Sequence, residues 1–149
     1  MEVKFKAVNQ KIGREIPLPQ FATAGSAAMD LHACVDAPVT LKAGERAVIP
    51  TGLAMALPSS GYVALVFARS GLGIKKGVCL SNGVGVIDSD YRGEIAVGLV
   101  NLSAEDYTVQ PGDRIAQLVI LPFLAAEFDE AEQLDDTARG AGGFGSTGK

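Results

Sequence analysis

Short apolar runs recur along the chain, and turn-forming residues separate them. Ten of these runs are predicted to be strands: 3–8, 29–35, 39–41, 47–50, 53–57, 62–67, 78–80, 94–101, 107–109 and 115–123. Turn signals that contain proline and glycine fall at 50–52, 58–61 and 110–113, where proline presets φ and glycine accepts a positive φ. Many short strands at this spacing predict an all-β fold, a jelly roll or a distorted β-barrel.

Helix is scarce in this pattern. The sequence predicts one short helix at 70–77, with Ser70 as its N-cap and Gly77 just past its end. The longest stretch without glycine or proline, 123–139, carries six acidic residues, and its apolar spacing fits neither a helix nor a strand. We interpret it as a strand that leaves the core and continues as a solvated connector.

The C-terminal segment 139–149 differs from the rest of the chain. Glycine occupies five of its positions, and Phe144 is its one large apolar residue. Such a segment cannot form a core element, so we predict a flexible lid arm that orders on a ligand. The alternative is a disordered glycine tail. We therefore divide a single domain into a β-barrel core, residues 1–138, and this arm.

Composition and charge narrow the class of protein. A length of 149 residues with 48% hydrophobic residues suits one globular domain. The net charge of -4 argues against a general nucleic-acid-binding surface but leaves room for a small phosphate pocket. Two cysteines are too few for a disulfide framework and indicate a reducing compartment. With no signal peptide or membrane span in the pattern, we expect a soluble, cytoplasmic protein.

The stretch 81–94 holds the most distinctive candidate chemistry. It is rich in glycine and apolar residues, and two carboxylates, Asp88 and Asp90, come just before Tyr91. We predict a short hairpin that forms the floor of a pocket and carries a reactive acid. Asp88 is the better candidate because it directly follows the apolar residues, where a carboxylate can polarise a water for attack on phosphorus. The alternative is an ordinary turn.

Three further segments carry groups that could bind phosphate or metal. Arg69, Ser70 and Gly71 combine a guanidinium fork, a hydroxyl and an open amide, which make an anion seat; the alternative is a solvated arginine and a simple helix cap. Asp30 is flanked by apolar residues and is either a paired structural acid or part of an Mg²⁺ site. Gln117 falls in a predicted core strand, where a buried amide needs partners.

The glycine-rich arm has a phosphate-binding character of its own. It matches the opening of a Walker loop, Gly-x4-Gly-Lys, but no Ser/Thr and helix follow in this sequence, so we expect no nucleotide triphosphatase of that fold. Its glycines still allow main-chain amides to converge on phosphate, and Ser146 and Thr147 add hydroxyl donors. Phe144 can stack on a base.

Five segments, in this order, resemble the five motifs of the trimeric deoxyuridine triphosphate nucleotidohydrolases (dUTPases). They are 25–31, 68–72, 82–93, 112–117 and 139–148. The similarity spans nearly the whole chain and implies a jelly-roll subunit in a homotrimer. It also implies three shared active sites at subunit interfaces, each closed by a swapped C-terminal arm.

The resemblance implies the hydrolysis of dUTP to dUMP and pyrophosphate with Mg²⁺, which limits uracil incorporation into DNA and supplies dUMP for thymidylate synthesis. Asp88 would activate water for attack on the α-phosphorus, Tyr91 would pack against deoxyribose, and Asp30 would order Mg²⁺ through water. The other implied substrate contacts are Arg69, Ser70, Gly71 and Gln117 for the phosphates, Asn82, Val86, Ile87 and Ala96 for uracil, and Arg139, Phe144, Gly145, Ser146 and Thr147 for the lid.

Two alternatives remain open at this level. A dCTP deaminase has the same fold, but that family lacks the Asp-x-Asp-Tyr segment in this form and uses a glutamate as its proton shuttle. A non-catalytic trimer that binds a nucleotide or a protein partner is the other alternative. The chain departs from the usual family motifs at Ala28, Met29 and Ala68, which are small or apolar substitutions outside the implied contacts.

Overall fold

The computed structural model describes residues 1–143, which form eleven strands and one short helix. The elements are β1 (Lys4–Ala7), β2 (Met29–His32), β3 (Val39–Leu41), β4 (Arg46–Pro50), β5 (Leu53–Ala56), β6 (Tyr62–Phe67), α1 (Ser70–Lys76), β7 (Val78–Leu80), β8 (Gly85–Ile87), β9 (Ala96–Asn101), β10 (Tyr107–Val109) and β11 (Arg114–Pro122). This confirms the predicted all-β class with one short helix.

The strands form four antiparallel sheets. The largest has the order β2-β11-β6-β8, and the next has the order β4-β9-β7. Two strand pairs, β1-β5 and β10-β3, complete the set. Among the described strands, no two neighbours within a sheet are consecutive in sequence, so the chain passes repeatedly from one sheet to another, as in a jelly roll.

Apolar side chains from the two larger sheets meet in one core. Every second residue of β9 is buried, which is the alternation of a strand with one face on a core. Leu31 and Leu118 enter from the four-stranded sheet, and Ile49 and Leu99 enter from the three-stranded sheet; each is at most 1% exposed. Burial of each of these side chains stabilises the fold by roughly 1.5–3 kcal/mol. The packed core therefore holds the two sheets, and the loops that connect them, in place.

The helix boundaries correct one prediction and confirm another. The N-cap is Arg69, whose backbone is extended at φ -85° and ψ 132° and whose side chain makes no capping bond, while Ser70 is already helical. Gly77 ends the helix as predicted, with a left-handed φ of 67° and an N–H that reaches back to the last turn. Ser70 cannot be the cap because the extended residue before the helix is the arginine.

The predicted hairpin at 81–94 is wrong. Strand β8 pairs with β6, with Ile87 opposite Ala64, whereas β7 and β9 pair with each other in the other sheet. The chain therefore leaves the three-stranded sheet after Leu80, runs along the edge of the four-stranded sheet and returns at Ala96. Gly83, with a φ of 75°, turns the backbone out of the first sheet, so the three residues of β8 find their partners on β6.

The segment after β11 is confirmed as a solvated connector, although it contains no strand. The strand ends at Pro122, and the residues that follow up to 139 are exposed. Leu124, Phe128 and Leu134 are 95%, 99% and 89% exposed. The predicted arm contacts from Phe144 onward lie outside the described residues. Within residues 1–143, no helix is both long and apolar enough to cross a membrane.

Candidate active site

The passage of the chain between the two larger sheets creates a cavity of about 220 Å³, which we call the main cavity. Val66 of β6 and the whole of β8 form one wall, and Leu80 and the start of β9 form the other. The lining includes six residues that the resemblance assigns to substrate or catalysis: Asn82, Val86, Ile87, Asp88, Tyr91 and Ala96. The predicted pocket therefore exists, although two sheets build it in place of a hairpin.

Asp88 lies at the rim of the main cavity with its side chain exposed. Its main-chain carbonyl accepts a hydrogen bond from the Tyr91 N–H at 3.2 Å, which closes a tight turn. The Arg92 guanidinium donates to the carbonyls of Ser89 and Tyr91 at 2.7 and 2.8 Å and fixes the same turn. Within the described residues, no side-chain donor contacts the Asp88 carboxylate, which leaves it free to bind water. Asp90 does not line the cavity.

Tyr91 also lines the main cavity. Its hydroxyl donates to the main-chain oxygen of Glu94 at 2.9 Å, and the side chain is 44% exposed. The Glu94 carboxylate accepts the Gly52 N–H at 2.7 Å. Sequence reasoning missed Glu94, because its partner lies 42 positions away and nothing local indicates the contact.

A second group, which we call the arginine cluster, consists of Asp30, Arg69, Arg114 and Gln117. The Arg69 Nε donates to Asp30 Oδ1 at 2.7 Å, and the Arg114 Nη1 donates to Oδ2 at 3.2 Å. Gln117 lies opposite Asp30 across the β2-β11 pair, and its Nε2 donates to the Ala68 carbonyl at 2.9 Å. Residues from three of the five motifs therefore meet at one end of the four-stranded sheet.

The charges of the arginine cluster favour an anion. One carboxylate faces two guanidinium groups, so the cluster keeps an excess positive charge after pairing. The two ion pairs of Asp30 fit the alternative that Asp30 is a paired structural acid. Its role in binding Mg²⁺ stays a prediction. Burial lowers the pKa of the neighbouring His32. The positive charges of Arg114 and Arg69 lower it further, whereas the negative charge of Asp30 raises it. Sequence reasoning quoted Arg114 within a motif but gave it no role.

The remaining predicted residues fall outside both groups of contacts. Ser70 and Gly71 open helix α1 next to Arg69 and are exposed. Arg139 donates from Nε to the Gly142 carbonyl at 3.1 Å within its own turn, so among the described residues it reaches neither the main cavity nor the arginine cluster. Phe144, Gly145, Ser146 and Thr147 lie outside the described residues.

No residue of the arginine cluster lines the main cavity, and Asp88 and Arg69 lie at different positions along strand β6. Asp88 follows Ile87, which is opposite Ala64, and Arg69 comes five residues after Ala64. An extended chain rises about 3.3 Å per residue, which separates these points by roughly 16 Å along the strand direction. Within one chain, Asp88 and Arg69 are therefore well separated along β6, although the cavity itself reaches Val66.

Comparison with known proteins identifies the family. The family model described as dUTPase matches residues 14–148. A deoxyuridine 5'-triphosphate nucleotidohydrolase of Idiomarina loihiensis is 50% identical over 148 residues, which cover 99% of this chain and 98% of the relative. The chain belongs to the dUTPase family. This confirms the resemblance that the five motifs indicated, and the dCTP deaminase alternative is not favoured.

Solved structures of dUTPases have the same fold. A mutant of the Staphylococcus bacteriophage 80alpha dUTPase with dUpNHpp has a TM-score of 0.86 at 26% identity, with 99% of each chain covered. A mutant dUTPase from phage phi11 of S. aureus, described as revealing the coordination of a structural Mg(II) ion, has a TM-score of 0.79 at 23% identity, with 91% of this chain and 100% of that chain covered. The second likeness supports the fold alone.

Proposed function

We propose that this chain hydrolyses dUTP to dUMP and pyrophosphate, and that Asp88 activates the attacking water. One observation carries the proposal: the Asp88 carboxylate, which contacts no side-chain donor among residues 1–143, stands on the rim of a cavity that Asn82 and Tyr91 also line, in a chain of the dUTPase family. A carboxylate that is not engaged by other side chains can accept a proton from water as the water attacks phosphorus.

The size of the main cavity suits a nucleoside. Its volume of about 220 Å³ is below the roughly 300–1,000 Å³ of sites for drug-sized ligands, so we place the base and the sugar inside and the triphosphate outside. The Asn82 amide, with main-chain groups of Val86, Ile87 and Ala96, would read the uracil edge. The Tyr91 ring would pack against the deoxyribose and exclude a 2′-hydroxyl.

Phosphoryl transfer depends mainly on charge neutralisation and positioning. The excess positive charge of the arginine cluster supports a role for Arg69 and Gln117 in holding phosphate oxygens, together with Ser70 and Gly71. Arg139, Phe144, Gly145, Ser146 and Thr147 would act as the lid that excludes bulk water.

Mg²⁺ bound through water would use Asp30, the one carboxylate of the arginine cluster, whose two oxygens also accept bonds from Arg69 and Arg114. Mg²⁺ commonly uses one or two carboxylates and takes its other ligands from water and substrate phosphates, and Asp30 supplies one carboxylate that is 22% exposed. Within residues 1–143 no group of three acidic, histidine or cysteine side chains forms a protein cage for a metal. We propose that Asp30 holds Mg²⁺ through water and that the ion neutralises charge on the triphosphate.

The separation of Asp88, in the main cavity, from the arginine cluster supports a homotrimer with shared active sites. Asp88 must lie at the α-phosphorus, and the other phosphates follow it within a few bonds, so the distant Arg69 of the same chain does not serve that nucleotide. A second cavity shares Val86 and Asp88 with the main cavity. Beside it, Val86 is 64% and Phe123 45% exposed, which leaves apolar surface for a neighbouring subunit. We propose that the main cavity of one subunit faces the arginine cluster of another.

A cytoplasmic location is part of the same proposal. The thiols of Cys34 and Cys79 are not joined to each other in the described part of the chain, and such free thiols persist in reducing compartments. Cell fractionation followed by detection of the protein tests this location.

One incubation tests the reaction itself. The protein is mixed with dUTP, dCTP, dTTP or UTP and Mg²⁺, and the release of pyrophosphate and of ammonia is followed. We expect pyrophosphate from dUTP and no ammonia from any substrate. Ammonia from dCTP would indicate a deaminase, and binding without turnover of any of the four nucleotides would indicate a binding module.

A further inference from the structure

We propose that Glu94 is a positioning residue for sugar discrimination, because it ties the rim of the main cavity to the turn between β4 and β5 and so holds the Tyr91 ring in place. The turn consists of Thr51 and Gly52. The inference rests on the proposed function, in which this ring excludes a ribose.

The position of the Tyr91 ring depends on the main chain at Glu94. The hydroxyl donates to the Glu94 carbonyl at 2.9 Å. The ring lies across Gly93, where an added Cβ would stand 2.5 Å from the hydroxyl oxygen and 2.7 Å from the adjacent ring carbon. No side chain fits between the ring and the backbone there, so a shift of the backbone at 93–94 shifts the ring.

The carboxylate of Glu94 holds that backbone. Its Oε1 accepts the Gly52 N–H at 2.7 Å. A hydrogen bond from a main-chain amide to a carboxylate is charge-assisted and about twice as strong as a neutral one. This bond connects the Glu94 side chain to a turn that does not line the cavity, next to the bonds that Ile95 makes to the same turn.

The turn is a firm anchor because it is packed and hydrogen-bonded on both sides. Thr51 is fully buried, and its hydroxyl donates to the Ile95 carbonyl at 2.6 Å. The Ile95 N–H donates to the Leu53 carbonyl at 2.7 Å. Gly52 has a φ of 71°, and a Cβ there would lie 2.8 Å from the Cys34 sulfur. The turn therefore cannot follow the rim if the rim moves.

Loss of the carboxylate should loosen the ring while the fold remains. Glu94→Ala leaves the Gly52 N–H without its acceptor and loosens the rim at residues 93–94, while Ile95 stays bonded to the turn. We expect the preference for dUTP over UTP, as the ratio of kcat/KM values, to fall about tenfold, which corresponds to about 1.4 kcal/mol. Glu94→Gln keeps an oxygen that accepts the same N–H, so it should retain most of the preference.

Steady-state kinetics on dUTP and UTP measure this preference. Glu45→Ala is the matched control, since the Glu45 carboxylate also accepts a main-chain N–H, that of Lys42 at 2.9 Å, and does not line the main cavity. The control should keep the wild-type preference. Intact dUTP turnover with an unchanged preference in Glu94→Ala would overturn the proposal.

Two further measurements separate positioning from other roles. In a Tyr91→Ala background, Glu94→Ala should change the preference no further; a further loss of the same size would mean that Glu94 acts on the substrate itself and would overturn the proposal. Hydrogen exchange at the Gly52 amide needs no substrate: faster exchange in Glu94→Ala supports the anchor, and equal exchange overturns it. A wild-type protein that does not hydrolyse dUTP would contradict the proposed function instead.

Discussion

The main cavity and the arginine cluster differ in how the chain builds them. With the exception of Val66, the residues that line the cavity come from the single stretch 80–98. The arginine cluster gathers Asp30 from β2, Arg69 from the end of β6, and Arg114 from β11, 84 positions from Asp30. The stretch 80–98 can shift as a unit and keep its cavity-lining residues together. The arginine cluster, in contrast, forms only when strands that are distant in sequence pair in the observed register. One chain therefore carries two groups of candidate residues with different structural origins.

The largest effect is expected on the cavity side of this comparison. Asp88→Asn should still bind dUpNHpp but lower turnover about 10²–10⁴-fold, because an amide does not accept the proton from water. Steady-state kinetics and a binding titration measure the two quantities. Asp90→Asn is the matched control, since this exposed acid does not line the cavity. Full turnover in Asp88→Asn would place the base elsewhere.

Removal of residues 139–149 should separate catalysis from stability. We expect turnover to fall about 10²–10³-fold, the range for lost transition-state donors. The melting temperature should stay almost unchanged, since residues 139–141 are exposed and the core lies elsewhere. Kinetics and thermal unfolding of the shortened chain test this. A large fall in melting temperature would make the arm a structural element.

A smaller effect is expected at the sugar side of the cavity. Tyr91→Ala should lower the preference for dUTP over UTP about 10–100-fold, because the space left by the ring admits a 2′-hydroxyl. Tyr91→Phe keeps the ring but removes the bond to Glu94, so it should lower the preference about as much as Glu94→Ala and less than Tyr91→Ala. Equal discrimination by wild type and Tyr91→Ala would mean that the sugar is read by other residues.

The smallest effect concerns the pH dependence of stability next to the arginine cluster. Because burial lowers the folded-state pKa of His32 below 6.5, the unfolded chain binds the proton more readily than the folded one. The contribution of His32 to stability is therefore present above pH 6.5 and declines as the pH falls below it. Melting temperatures of wild type and His32→Gln between pH 7.5 and 5.5 should show a slightly steeper fall for wild type; parallel curves would contradict this.

Local pattern was enough to predict most of the fold. Alternation and turn residues located ten of the eleven described strands, and Gly77 marked the helix end. Strand β8 was missed as a separate strand because it has three residues and its partner is the distant β6. Turn geometry alone does not reveal which sheet a strand joins.

Local sequence pattern also predicts only part of the candidate site, because it does not reveal contacts between distant strands. Asn82, Asp88 and Tyr91 stand close together in sequence, so a local reading placed them in one pocket, and the structure brings them to one cavity. Glu94 and Arg114 escaped notice because their partners lie 42 and 84 positions away. Such contacts follow from strand register, which sequence periodicity leaves open.

Mixing of inactive subunits tests most directly whether one active site combines the main cavity of one subunit with the arginine cluster of another. Asp88→Asn and Arg69→Ala proteins, each expected to be inactive alone, are unfolded and refolded together in equal amounts. If a site takes Asp88 from one subunit and Arg69 from another, random assembly restores about a quarter of the sites, because each contributor is intact in about half of the cases. We expect that recovery of dUTP hydrolysis. Activity no higher than that of the separate variants, with trimers formed normally, would contradict the shared site.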